Sequence, residues 1–305
     1  MKRKAINRDL CKVISSLLFL WPAFLLLNCT QQPASETAKS GSMTLAVDRQ
    51  LEEIAGSQTE MFSRYYPDAK IILRPDASRK SLKNLLDGKV NAALISGEPE
   101  AAEDSLFSKL KRTIRREPVA RDAIVCIVNN NNSAIKLSIE ELVTIFSEQG
   151  KGGVTPLVIA DDFRLLSVFA AQTGEKRGDL HPWACNSEAE LIERVSVDNR
   201  AVGLLFRSSL DRGLTIALKE GKRDKNIRIV PLTIEGDRTA AYLPTQQNIF
   251  EGRYPLITTV YYVYCPGDGL AIGFGSWLGS SSGQKAFERS TIAPFRLVER
   301  TIILK

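Results

Sequence analysis

MTLAV at Met43–Val47, AKIIL at Ala69–Leu73 and AALI at Ala92–Ile95 are three short apolar runs, and a helical stretch fills each gap between them. The first gap, Leu51–Tyr65, places Leu51, Ile54, Ala55, Met61, Phe62 and Tyr65 at helical spacing, and the second holds the shorter SLKNLL helix, Ser81–Leu86. Continuous apolar runs too short for helices, each leading into an amphipathic helix through a tight turn, predict a parallel sheet covered by helices. The same alternation continues downstream. Asp122–Val128 (DAIVCIV) is a buried strand ended by the four asparagines Asn129–Asn132, and a helix then runs from Ser138 to Phe146. Ser138 is its N-cap and Glu141 stands at the third helical position, the two halves of a capping box. A run at Leu157–Ala160, helices over Leu165–Gln172 and Glu188–Val195, and a run at Ala201–Phe206 extend the pattern. Ile227–Leu232 and Thr258–Tyr264 predict further strands, Phe274–Leu278 and Gln284–Arg289 a closing helical segment, and Thr301–Leu304 a final strand. No internal repeat is visible. The fold class expected is α/β.

The chain has 305 residues, 44% of them hydrophobic and 25% charged, proportions that exclude disorder, collagen or coiled coil for the whole and allow one large or two medium domains. Its formal charge of +6 is concentrated at the start, where Lys2, Arg3, Lys4, Arg8 and Lys12 face only Asp9. The remainder is nearly balanced, so no single-sign field is present to steer a polyanion and no nucleic-acid partner is expected. The apolar run Val13–Leu27 follows the basic segment and is shorter than the roughly 20 residues of a bilayer span. It reads as a signal-peptide core, residues 1–28 being the leader. Leu26-Leu27-Asn28-Cys29 looks like a bacterial lipobox, in which Cys29 becomes the first mature residue and carries lipid; an uncleaved anchor is the alternative. Either way the body is exported to the periplasmic side of the cell envelope and tethered to a membrane. Residues 29–43, polar and small, read as a flexible tether.

Motifs that name an enzyme are missing. There is one histidine, His181, and neither G-x-S-x-G nor G-x-x-x-x-G-K-[ST] nor G-x-G-x-x-G occurs. The pairs Asp161-Asp162 and Glu140-Glu141 read as solvated faces rather than catalytic dyads. Cys126, Cys185 and Cys265 form no C-x-x-C pair, so neither a zinc site nor a disulfide framework is expected; a Cys126–Cys265 bridge and buried free thiols both stay open. No cofactor and no metal is expected, and the chain is read as a binding protein rather than an enzyme.

The order of motifs over Thr44–Lys305 carries a resemblance. Tyr254-Pro255-Leu256, Val260–Tyr264, Gly269–Phe274, Ser282–Ala286 and Pro294 succeed one another as in the C-terminal part of the PstS-like phosphate-binding proteins of ABC importers. Asp122–Val125 through Asn130, Leu137–Ser147, Val195 with Ala201–Leu204, and Tyr66–Ile71 are similar to other elements of that family and its lipoprotein branch. The resemblance implies a type II periplasmic-binding fold: two α/β lobes joined by two crossover segments, with ligand in the cleft. Lobe one would span residues 44–122 and 266–305, and lobe two residues 123–265. It implies a monomer that takes one inorganic phosphate or related oxyanion and delivers it to an ABC permease, anchored through its lipid. A homologue that has lost transport and acts as sensor or scaffold is the alternative, and an exported hydrolase a third.

In the family, backbone N–H groups at helix N-termini, Ser and Thr hydroxyls, one Arg and one Asp enclose the anion. The resemblance places the first loop at Asp48-Arg49-Gln50-Leu51, where Arg49 would reach the anion and Asp48 would join the site or cap the following helix. The second loop, Asp76–Ser81, offers the Ser78 hydroxyl, with charge from Arg79 or Lys80. The family's selective Asp falls at Asn91, an amide that both accepts and donates, and Ser96-Gly97 stands where a Ser-Arg pair is common. In the third loop, Ala160–Ser167, Arg164 is the candidate cation or else a surface helix residue, and Asp161 and Asp162 would repel a dianion. The candidate ligand set is Asp48, Arg49, Ser78, Arg79, Asn91, Ser96 and Arg164.

Overall fold

A computed structural model describes residues 37–148, 151–219, 226–234 and 237–297, within a compact unit spanning Glu36–Lys305. The leader, Cys29, most of the tether and the expected strand Thr301–Leu304 lie outside the described residues.

Strands β1 (Gly41–Asp48), β2 (Ala69–Asp76) and β3 (Ala92–Ser96) form the parallel trio β2-β1-β3, with α1 (Glu52–Tyr65) and α2 (Ser78–Leu86) as crossovers. β1 starts at Gly41, inside the stretch read as tether. After β3 the chain makes α3 (Ala101–Lys109) and turns at Lys111, which adopts φ 52°. It then enters β4 (Arg115–Asn129), the longest strand. Beyond β4 come α4 (Ile139–Ser147), β5 (Thr155–Ile159), α5 (Phe163–Thr173), β6 (Trp183–Cys185), α6 (Glu188–Val197), β7 (Ala201–Phe206) and α7 (Arg207–Lys219). β8 (Ile227–Ile229), β9 (Leu232–Ile234), β10 (Asp237–Tyr242), α8 (Gln246–Phe250), β11 (Ile257–Tyr264), α9 (Gly269–Gly279), α10 (Ser281–Glu288) and β12 (Ala293–Pro294) complete the order. The capping box expected on α4 is present: Glu141 N donates to Ser138 Oγ, and Ser138 N to Glu141 Oε2 at 2.7 Å.

The ten-stranded sheet runs β2-β1-β3-β11-β4-β7-β5-β6, with β8 and β12 added beside β4. It is mixed, which corrects the all-parallel expectation. The trios β2-β1-β3 and β7-β5-β6 are each internally parallel, but β11 lies antiparallel to both neighbours and β4 antiparallel to β7. The apolar runs of β4 and β11 resemble parallel strands because both their faces are covered, and burial rather than direction sets that composition. β4 changes partner along its length: Arg115–Ala123 pairs with β11 and Ile124–Val128 with β7. β11, inside the range expected for lobe two, is thus hydrogen-bonded into the same half of the sheet as β1–β3.

Two main apolar clusters flank that change of partner. One gathers Leu45, Phe62, Val119, Tyr262, Phe274 and Trp277, with Phe62 edge-on to Phe274 at 5.3 Å. The other gathers Ile124, Phe146, Phe169, Leu191, Leu204 and Tyr254. Each fully buried side chain of this size contributes about 1.5–3 kcal/mol, enough for both clusters to hold their own helices on the sheet. Cys126 and Cys185 are buried free thiols and Cys265 a half-buried one, so no Cys126–Cys265 bridge forms. Burial pushes the Cys126 thiol up to about 12.

Candidate functional site

Asp48 ends β1, Ser96 ends β3 and Ser78 opens α2 directly after β2, so three parallel strands deliver their loops to one edge. That edge, outside the carboxyl ends of the strands, is where open α/β sheets hold ligands. Asp48 is fully buried and its Oδ2 accepts from Ser96 N at 3.0 Å; it makes no capping bond to the turn that follows. Burial raises its pKa to about 6, against the lowering pull of Arg164 and the Ser96 N–H. Ser81 Oγ stands close enough to favour the Asp48 carboxylate without a hydrogen bond of regular geometry. Ser96 Oγ and Arg164 Nε, on residues that contact this carboxylate, and Gln50 Nε2 and Ser78 Oγ, on residues that line the neighbouring cavity, are buried and lack hydrogen-bond partners. Buried polar atoms are nearly always paired, so an unpaired cluster at one crevice calls for a partner that the protein does not itself supply.

Arg164, 3% exposed, extends from the first turn of α5 across to the other half of the sheet. Its guanidinium meets both carboxylate oxygens of Glu103 on α3, at 3.0 and 3.3 Å, and donates to the carbonyls of Ser78 at 3.1 Å and Glu98 at 3.2 Å. It is therefore neither a surface helix residue nor a free cation: four of its contacts are internal and only Nε remains. Neighbouring contacts run along the same seam. Ser167 Oγ donates to Glu100 Oε1 at 2.5 Å, and Arg177 pairs with Glu100 at 3.3 Å.

The other candidates divide. Arg49, Gln50 and Ser78 line a cavity of about 20 Å³, room for little more than one water. Arg79 is exposed and turned away, its guanidinium 3.8 Å from the centroid of Phe163 and on the wall of a separate apolar groove between α2 and α3. Asn91 lies apart from the other candidates. It precedes β3, whereas Ser96 ends it, and its side chain accepts from Thr44 N at 2.8 Å and donates to Asp268 Oδ2 at 2.5 Å. It ties the start of β1 to the α9 N-cap, a strand's length of about 17 Å from the crevice. The carboxylate that faces the buried donors is Asp48.

The opposite wall carries the acids Asp161, Asp162 and Glu188 beside Ser209, and Ala77 and Ile159 complete the cavity lining. Asp162 caps α5, its Oδ1 accepting from Leu165 N at 3.4 Å, and burial, reinforced by the charge of Asp48, raises its pKa to about 8. Glu188 opens α6 and is held by Arg212 at 3.1 Å. α2, by contrast, is preceded by Ala77 and has no side-chain cap. Glu103 and Gln50 were not singled out from the sequence; the Glu100–Glu103 spacing of a helix start was the available signal, and the box it predicts is present on α3. No group of three His, Cys, Asp or Glu side chains among the described residues is placed to hold a metal ion, and no described helix is long and apolar enough to cross a membrane. The arrangement is one that encloses and orients a small polar solute.

The sequence model of the PBP superfamily domain matches residues 32–282. No curated protein matches the chain. Among solved structures, a phosphate-bound protein of Clostridium perfringens assigned to the substrate-binding proteins of phosphate ABC transporters superposes with TM-score 0.68 at 16% identity, over 84% of this chain and 100% of that one. An ABC-type phosphate transport receptor from Vibrio cholerae gives 0.61 at 19% identity, over 82% and 99%. A sulfate-bound mutant of the OxyR2 regulatory domain from Vibrio vulnificus gives 0.52 at 12%, over 80% and 96%. At such identities the likeness establishes the fold, the two-lobed α/β architecture of type II periplasmic-binding structures.

Proposed function

The chain belongs to the PBP superfamily, and from that premise we propose that it is an exported, lipid-anchored receptor that captures phosphate or a related oxyanion for an ABC importer. One observation carries the reading: Ser96 Oγ and Arg164 Nε, buried donors without partners, belong to residues that contact Asp48, whose Oδ1 is itself unpartnered, and Gln50 Nε2 and Ser78 Oγ, also buried and unpartnered, line the cavity that Arg49 shares. A protonated tetrahedral oxyanion needs that complement, several donors for its oxygens and one acceptor for its proton. The uncapped start of α2 adds backbone N–H groups and the positive end of a helix dipole. Two solved structures of this fold are described by the phosphate they bind or transport, which supports the choice of anion. In this reading the chain has two lobes, residues 44–122 with 266–305 and residues 123–265; the two apolar clusters support it, and the pairing of β11 with β3 favours counting Ile257–Tyr264 with the first. Lipid on Cys29 would hold the receptor at the membrane. Isothermal titration calorimetry tests the reading: one phosphate or arsenate per chain is expected, and no heat from phosphate, arsenate, phosphonate or sulfate refutes it.

A second reading has its own observation. The crevice is filled by Arg164 bound to Glu103 and leaves only about 20 Å³, as in a homologue that serves as sensor or scaffold without transport. Small-angle scattering separates the two: a receptor changes its radius of gyration when phosphate is added, and a filled scaffold does not.

A further inference from the structure

The walls of the Gln50–Ser78–Asp162 cavity carry opposite chemistry. The first half of the sheet contributes Arg49, Gln50 and Ser78; the second contributes Asp161, Asp162 and Glu188, and Arg49 is the single cation among the lining residues. The two other arginines nearby are already neutralised, Arg164 by Glu103 at 3.0 Å and Arg212 by Glu188 at 3.1 Å. Glu188 is balanced by Arg212 and Asp162 keeps a proton up to about pH 8, so the wall offers a free dianion no cation beyond Arg49, while an ammonium set beside Asp162 would displace that proton and ionise the carboxyl. The helix starts tell the same story: α5 is capped by Asp162, so its N-terminus already has an internal partner, whereas α2 lacks a side-chain cap. Gln50 Nε2 and Ser78 Oγ, buried, unpartnered and lining the cavity, mark where the anionic end goes. The acidic wall marks where a cationic end goes.

Resting on the oxyanion-receptor reading above, we propose that the ligand is zwitterionic: a phosphonate or phosphate monoester bearing a primary ammonium on a short carbon chain, its oxyanion at the Gln50–Ser78 wall and its ammonium at Asp161 and Asp162. A hydroxyl in place of the ammonium would hydrogen-bond to these carboxyls but would not draw Asp162 into its ionised form, so charge, not hydrogen bonding alone, selects the amine. The cavity as closed is too small for any such molecule, and it enters only when the halves part.

Calorimetric titration of the full chain with inorganic phosphate, ethylphosphonate and 2-aminoethylphosphonate tests this. The amino compound is expected to bind about 10- to 100-fold more tightly than ethylphosphonate, the worth of a buried charge-assisted contact. Asp162→Asn, which keeps a capping side chain on α5, is expected to erase most of that preference, read as the ratio of the two phosphonate affinities within the variant. Equal affinities for the two phosphonates, or tightest binding of inorganic phosphate, overturn the zwitterion assignment and leave oxyanion capture standing. A preference that survives Asp162→Asn overturns the placement of the ammonium. If none of the three ligands binds, the oxyanion reading itself falls and this proposal with it. The wild-type titrations decide the ligand class whether or not the variant folds.

Discussion

Replacing Glu103 with Gln leaves the Arg164 guanidinium buried, still bonded to the Ser78 and Glu98 carbonyls but without the carboxylate that balances it. Removing one partner of a buried ion pair typically costs about 3–5 kcal/mol. Two features reduce that here: the Glu103 side chain is 15% exposed, and Asp48 remains near Arg164. A loss of about 2–3 kcal/mol is therefore expected for Glu103→Gln. Arg164→Met should cost a similar amount, since Glu103 loses its partner and two carbonyls lose donors. The double variant Arg164→Met with Glu103→Gln removes both charges at once and should recover most of this, leaving about 1 kcal/mol for the two carbonyls. The coupling energy from the cycle is then about 3 kcal/mol or more. Urea denaturation of the four proteins at one pH measures it. If Glu103→Gln lies within about 0.5 kcal/mol of wild type, or if the two single changes simply add, the pair is not the tie across the seam that its geometry implies.

Asp48, Asp122 and Asp162 are buried acids with pKa values raised to about 6, 6 and 8 by burial. The native state therefore holds protons that the unfolded chain, with its carboxyls near about 3.9, has already lost. Their contribution to stability is full below about pH 4 and is lost as pH rises through 6 and then 8, so Asp162→Asn should flatten the fall between pH 6 and 8 relative to wild type; urea midpoints at about pH 5, 6.5 and 8 check it. Ser78→Ala removes an unpartnered hydroxyl, so thermal stability should be unchanged or slightly raised while phosphate affinity by calorimetry drops about tenfold. Gly97 has φ 87° and an added Cβ would stand 2.5 Å from Val168 Cγ2 on α5. Gly97→Ala should accordingly lower stability by about 1–3 kcal/mol in urea titrations, and a neutral result would mean that α5 can retreat from β3.

The first trio of strands and its helices could be read from the sequence because local pattern and burial agree there: Leu45, Val47, Leu51, Ala55 and Phe62 all enter the core their spacing assigned. α3 escaped because its AAEDSLFSK sequence buries only Phe107 among its nine residues, too little periodicity to register. The first half of β4, Arg115–Arg121, escaped because it is polar and interrupted by Pro118, and its place in the sheet depends on β11, more than a hundred residues away. That Asp48, Arg49, Ser78 and Ser96 share one edge is legible because strand ends are local features. The pairing of Arg164 is not, since Glu103 stands 61 residues before it in the chain. The separate position of Asn91 is hidden for a similar reason: its partners, Thr44 and Asp268, are distant in sequence.

The switch of partners in the middle of β4 governs how the crevice can admit anything. Both halves hang on the same fifteen residues, and an extended strand barely lengthens yet twists readily. The joint is clamped: Ser208 Oγ donates to Asp122 Oδ2 at 2.5 Å and the Tyr254 hydroxyl to the Ile124 carbonyl at 2.9 Å. Were the halves to part, the chain would turn at Ala123 and Ile124, where β4 leaves β11 for β7, and the Arg164–Glu103 pair across the seam would have to break.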